Sequence, residues 1–252
     1  MSASTAPRLA RPLVAMVTDR TRYGEVNDEA ALRHVLEDVR RAARAGVDLI
    51  QLRERRIADR DLLGLTRRVV AAVEGTAARV LVNARADVAL AAGAGGVHLP
   101  ASSMPTPRIR AILPLRFLLG RSVHDLDEAV AVEQQGGCDY LILGTIYPSS
   151  SKPPGHPAAG VDTLARVCAA VRLPVLAIGG IDHDRLAEVA ATGAAGVAAI
   201  GVFTTRPGSA VEGPTADIGA FVARVRDLFG PRPERAPGGG RLISPTSPID
   251  HD

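Results

Sequence analysis

A chain of 252 residues, 46% hydrophobic but only 3% aromatic, suffices for one core, expected to be packed in layers of Ala, Val, Leu and Ile rather than by large rings. The formal charge of +3 is no nucleic-acid footprint, because the arginines are interleaved with Asp and Glu on apparent helix faces. Cys138 and Cys168 stand beside small or apolar neighbours, which argues against a disulfide framework or a zinc site, and no apolar run has the length of a signal peptide or membrane span, so a soluble, cytoplasmic protein is expected.

In chain order, short β-branched runs alternate with Ala-rich amphipathic stretches, which is the pattern of repeated βα units. Strands are predicted at 13–18, 48–53, 79–83, 96–99, 117–122, 140–145, 175–179 and 197–201, with helices at 28–45, 59–73, 126–135, 161–171, 184–192 and 217–229, several opening on an Asp cap. AGVD before the second strand, AGAGGV before the fourth, GGCD before the sixth and TGAAGV before the eighth read as quasi-repeats of one helix-to-strand turn, where glycine takes the left-handed conformation cheaply. Eight such strands predict an α/β fold, a single (β/α)8 TIM barrel spanning 12–230, preceded by a fraying segment at 1–11. The tail at 231–252 is too rich in Pro, Gly and Ser to bury a face and is expected to be disordered.

In this fold the reactive groups sit at the carboxyl ends of the strands. Strand two ends in QLRER, so Gln51 and Arg53, alternating with Leu52, face the barrel mouth with Arg55 just beyond. A charged Arg there needs an anionic partner, either a ligand or an internal pair with Glu54 or Asp19. Strand four carries His98, which the sequence favours as structural because Val97 and Leu99 flank it within the strand. Strand five ends in GRSVH, where His124 stands past the strand among polar groups and can exchange a proton near neutral pH.

The loop after strand six holds Lys152, the only lysine in the chain; a compact ammonium kept in a sequence so biased toward Arg points to a ligand contact, the alternative being an inconsequential exposed Lys. Strands seven and eight end in AIGGI and AIGVF, whose Gly179, Gly180, Ile200 and Gly201 lack competing polar side chains and let backbone N–H groups approach a phosphate; an ordinary tight turn is the competing reading. The spacing of the remaining histidines matches no metal site.

Taken in order, QLRER, VNAR, GVHLP, GRSVH, DYLILGTIYPSSSK, LPVLAIGGI and GVAAIGVF resemble the motifs of the thiamine phosphate synthase and thiazole tautomerase (TenI-type) family, over about residues 13–229. The resemblance implies a (β/α)8 fold and a role in thiamin biosynthesis. By matching positions it implies that Gln51, Arg53, Arg55, Asn83, Ser149, Ser151 and Lys152 hold the substrate, with Ser122 in the GRSVH motif beside them. It also shows a departure. The carboxylates that hold magnesium in synthases of the family are replaced here by Ala84 and Ser103, although Mg2+ needs hard oxygen ligands.

The tautomerase branch shifts a proton on a thiazole carboxylate phosphate without metal or a diphosphate leaving group, and His124 matches its SVH histidine. The sequence therefore favours a metal-independent isomerase that needs no cofactor, with His124 and Lys152 as catalytic groups. One alternative is a Mg2+-dependent synthase, its metal held by Asp19 or Glu54, joining a pyrimidine diphosphate to a thiazole phosphate. Another is a non-catalytic binder of thiamin-related phosphates. The expected partners are small molecules, with neither nucleic acid nor membrane, and a homo-oligomer is compatible with the sequence.

Overall fold

A computed structural model of the chain describes residues 9–24, 28–149, 155, 157–204 and 217–230. Eight parallel strands pair in chain order and close on themselves: β1 (Leu13–Val17), β2 (Leu49–Leu52), β3 (Arg79–Asn83), β4 (Gly96–Leu99), β5 (Leu118–Val123), β6 (Tyr140–Gly144), β7 (Val175–Ile178) and β8 (Gly196–Ala199). The helices outside them are α1 (Asp28–Arg44), α2 (Asp59–Ala72), α3 (Ala86–Ala91), α4 (Thr106–Arg110), α5 (Leu126–Gln135), α6 (Gly160–Ala170), α7 (Leu186–Ala191) and α8 (Ile218–Leu228). The expectations for 1–8 and 231–252 lie outside the described residues.

Caps set several boundaries. Asp125 accepts from the Glu128 N–H at 2.8 Å and Asp217 from the Ala220 N–H at 2.9 Å, so Asp217 precedes α8 rather than beginning it. The predicted helix at 184–192 shortens to Leu186–Ala191; ahead of it, Asp182 Oδ1 accepts from the Arg185 N–H at 3.2 Å, which closes a turn there. Helices α3 and α4, of 6 and 5 residues, are too short to show a helical period.

Two apolar layers result. Outward-facing strand residues pack against the helices, while Leu13, Ala15, Val17, Leu49, Leu81, Leu118, Ile142, Leu176 and Ala198 fill the barrel interior. The expectation of a core without large rings fails in both layers: Tyr23, Phe117, Phe203, Phe221 and Phe229 are buried between strands and helices, and Tyr140, 1% exposed, lies inside the barrel. Its neighbour in register on β5 is Gly120, and a Cβ added there would fall well inside 3.0 Å of the Tyr140 Cζ, Cε1 and Oη atoms. Gly96 against Leu118 and Gly144 against Ile178 repeat this small-to-large pairing between adjacent strands.

The quasi-repeats acquire a second meaning at the amino-terminal face. In AGVD, Asp48 Oδ2 accepts from the Val14 N–H at 2.7 Å and pairs with Arg226 at 2.8 Å. In GGCD, Asp139 Oδ2 accepts from the Leu119 N–H at 2.7 Å and pairs with Arg110 at 2.5 Å. In both, a carboxylate satisfies the first strand's backbone donor and is neutralised by an arginine from a surrounding helix.

A candidate active site at the carboxyl ends of the strands

A cleft of about 760 Å³ opens at the carboxyl ends of the strands. Gln51, Arg53 and Arg55 reach it from β2, Asn83 from β3, His98 from β4, Ser122 and His124 from β5, Ser149 from the loop after β6, Gly179 and Gly180 from β7, and Ile200 and Gly201 from β8. Ser151 and Lys152 lie outside the described residues. Two arginines that the sequence reading did not single out also line the cleft: Arg22, from the loop after β1, and Arg185, just ahead of α7.

On the β2 side, Gln51 Nε2 donates to Asn83 Oδ1 at 2.9 Å, fixing both amides across the strand pair. Arg53 forms no ion pair among the described residues. Burial, followed by the neighbouring Arg55, pushes its pKa below the usual guanidinium value, so an anion in the cleft would relieve both effects. The internal pairing weighed for Arg53 is absent because Glu54 accepts instead from Thr18 Oγ1 and, at 2.9 Å, from the Arg20 N–H.

His98 is buried, and desolvation, with smaller contributions from Arg121 and Arg53, holds its pKa down to about 3; it is neutral. Its Nδ1 lies 3.1 Å from the Tyr140 hydroxyl and its Nε2 2.9 Å from Ser122 Oγ. The enclosed tyrosine O–H must donate, and Nδ1 is its partner, so Nε2 carries the proton and donates to Ser122. This directs the Ser122 hydroxyl proton toward the cleft. His98 is thus buried and held at both ring nitrogens, and the Ser122 it contacts lines the cleft.

His124 is exposed at the rim. Its backbone N–H donates to Glu128 Oε2 at 2.7 Å, and Nδ1 lies 2.7 Å from the Gly144 carbonyl. A carbonyl only accepts, so Nδ1 bears the proton and Nε2 presents the basic lone pair in the neutral ring.

The donor set at the ends of β3 and β4 does not fit magnesium. Ala84 has no oxygen to offer from its side chain, and the Ser103 carbonyl accepts from Arg121 at 2.8 Å. The same guanidinium takes the carbonyls of Met104 at 2.8 Å and Ala101 at 2.7 Å, placing a positive charge beside the loop where a cation would need carboxylates. Of the two substitutes weighed, Glu54 is engaged as described, and Asp19 Oδ1 accepts from the Thr21 N–H at 3.2 Å and from its hydroxyl at 2.6 Å. Among the described residues no cluster of three His, Cys, Asp or Glu could hold a metal ion, and no helix is long and apolar enough to cross a membrane.

Comparison with known proteins gives a consistent result. Residues 22–203 match the family model described as thiamine monophosphate synthase. The chain is 41% identical over 188 residues to the thiamine-phosphate synthase of Methanoculleus marisnigri, covering 75% of this chain and 84% of the relative. It is 38% identical over 196 residues to that of Moorella thermoacetica, covering 78% and 89%. A solved thiamine phosphate pyrophosphorylase from Pyrococcus furiosus superposes with a TM-score of 0.71 at 29% identity, covering 87% of this chain and 98% of that one.

Proposed function

The chain belongs to the thiamine monophosphate synthase family of enzymes in thiamin biosynthesis, and from that premise we propose that it is a metal-independent isomerase moving a proton on a thiazole carboxylate phosphate. The observation that carries the reading is His124, whose Nδ1–H is committed to the Gly144 carbonyl at 2.7 Å and whose Nε2 is therefore the base. In this reading Nε2 takes the proton from the ring carbon that must lose it and a proton is returned at the conjugated position, so the ring becomes aromatic and no leaving group departs. Arg53 faces the substrate carboxylate, the turns at Gly179, Gly180 and Gly201 take the phosphate, and Ser122, held by His98, orients the ring. The single ammonium at Lys152 is assigned to the same substrate on sequence grounds. No step requires a cofactor.

A second reading, thiamine phosphate synthase, is favoured by the names of the relatives. Under it, Gln51, Arg53, Arg55, Asn83 and Ser149 hold a pyrimidine diphosphate, and a thiazole phosphate displaces diphosphate. The residues at the ends of β3 and β4 weigh against it. One assay separates the readings: pyrimidine diphosphate with each thiazole phosphate isomer, with and without magnesium. Isomer conversion that persists in chelator, and falls about 10²-fold or more in His124→Asn, is the expected result. Magnesium-dependent coupling would establish the synthase instead, and ligand binding without turnover would leave a carrier.

A further inference from the structure

We infer that Thr145, the first residue past β6, is a further substrate contact, its hydroxyl donating to an acceptor atom of the heterocycle beside the carbon whose proton His124 exchanges. The inference rests on the isomerase reading above and adds a residue outside the positions matched to the family. It starts from the buried polar side chains, of which there are nine among the described residues. Eight of them have a hydrogen-bond partner. The other three buried threonines show the pattern: Thr66 donates to the Leu62 carbonyl and Thr106 to the Gly136 carbonyl, both at 2.7 Å, and Thr18 donates to Glu54. Thr145 is 7% exposed, yet its hydroxyl has no partner among the described residues. A hydroxyl so nearly enclosed and left unpaired costs the fold stability, so its surroundings are informative.

The backbone holds Thr145 on both sides. The Gly144 carbonyl before it lies 2.7 Å from His124 Nδ1, its own carbonyl accepts from the Ala159 N–H at 2.7 Å, and the Ile146 N–H after it donates to the Ile178 carbonyl at 2.9 Å. Its methyl is committed to the end of β7, where Cγ2 lies 2.6 Å from the position a Cβ on Gly179 would take. A β-branched side chain is stiff about χ1, so the hydroxyl stays on the other branch. The open space beside Thr145 is the cleft, which it lines together with Gly144 and Gly179. One strand end therefore fixes the base through Gly144 and offers a neutral donor at the next residue. Loss of a ring proton to Nε2 leaves negative charge spread over the conjugated heterocycle, and an O–H already in place stabilises that charge more than it stabilises the starting ring. Thr145 keeps its own proton throughout, and the charge disappears when a proton returns at the conjugated position.

The test compares two variants of the full chain: Thr145→Val, which keeps the shape and the methyl at Gly179, and Thr145→Ser, which keeps the hydroxyl. Conversion of the thiazole carboxylate phosphate in chelator gives kcat and KM, calorimetry gives the affinity for the same compound, and thermal melts report on the fold. Thr145→Val is expected to lower kcat by about tenfold to a hundredfold with a smaller change in KM. Its calorimetric affinity should fall by about threefold to tenfold. It should nevertheless melt at or above the parent temperature, because a methyl replaces an unpaired hydroxyl. Thr145→Ser should keep kcat within about threefold of the parent. Parent-like kcat and KM in Thr145→Val would overturn the contact, and so would a loss of kcat that tracks a lower melting temperature in both variants. A parent that binds the compound without converting it would sink the isomerase reading separately; the calorimetric affinities then decide, and equal values for the parent and Thr145→Val overturn the contact. A parent that does not bind the compound overturns both.

Discussion

The most discriminating perturbation of the fold beneath the site is Gly120→Ala, examined with and without Tyr140→Leu. The added methyl would enter the space of the tyrosine ring well inside 3.0 Å, and the ring, 1% exposed, can yield only by moving its neighbours. Overpacking of this kind costs about 1–3 kcal/mol. Displacing the hydroxyl also leaves His98 Nδ1, now 3.1 Å away, without its donor, adding about 1–3 kcal/mol. The total of roughly 2–6 kcal/mol is a large part of an ordinary stability of about 5–15 kcal/mol. For a chain of this size it corresponds to a fall in Tm of roughly 4–24 °C.

Tyr140→Leu is itself destabilising, but it removes the ring that the methyl would meet. Adding Gly120→Ala to it should then cost no more than about 1 kcal/mol, which makes the pair strongly non-additive. Urea denaturation of the four proteins measures the cycle. Additivity within about 0.5 kcal/mol would refute the claim that Gly120 exists to admit Tyr140. The same variants connect packing to chemistry: loss of the Tyr140–His98 contact should lower kcat through Ser122 while leaving the affinity for inorganic phosphate unchanged.

Three further outcomes are expected. As pH falls, the unfolded chain protonates its histidine near pH 6.5 whereas folded His98 stays neutral to about 3; its contribution to stability is therefore complete above pH 6.5 and is lost toward pH 3, with a slope approaching about 1.4 kcal/mol per pH unit. The difference between parent and His98→Asn denaturation curves across that window isolates this slope from Glu54, whose burial raises its pKa and acts in the opposite sense, and equal slopes would refute the assignment. Asp139→Ala, which strands the Leu119 N–H and Arg110, should cost about 2–4 kcal/mol in chemical denaturation yet leave KM unaltered, because it acts at the face away from the cleft. Arg53→Ala should raise KM about tenfold or more for a carboxylate-bearing thiazole phosphate and much less for its decarboxylated analogue; equal effects on the two would move the carboxylate elsewhere.

The barrel was legible because each strand is an apolar run ending in polar or glycine-bearing residues, so Gln51, Arg53, His124 and the glycines of β7 and β8 could be placed on one rim from period and order, whereas Asn83 and Ser122 come in only with the family resemblance. Arg22 could be placed by neither. It sits in a loop without period, and its place on that rim is created only when β8 closes against β1, a pairing between opposite ends of the chain. Tyr140 was hidden for a related reason: 3% aromatic content says nothing about where a ring goes, and only the register of β5 against β6 brings Gly120 beside it. The short α3 and α4 carry no amphipathic period and escaped detection on length alone.

Arginine supplies every basic side chain but one among the 30 Lys and Arg residues, yet its role reverses from one end of the barrel to the other. At the amino-terminal face Arg226 and Arg110 meet Asp48 and Asp139 at 2.8 and 2.5 Å, so their charges are cancelled within the fold and contribute to its stability. At the carboxyl-terminal face Arg22, Arg53, Arg55 and Arg185 share a cleft whose lining, among the described residues, includes one carboxylate, Asp182, and Ala84 and Ser103 stand where the family resemblance puts acidic metal ligands. Under the isomerase proposed above, no cation has to be held there. Without those acidic ligands the cleft keeps a net positive field, which suits a substrate that brings its own negative charges directly to arginine and backbone donors.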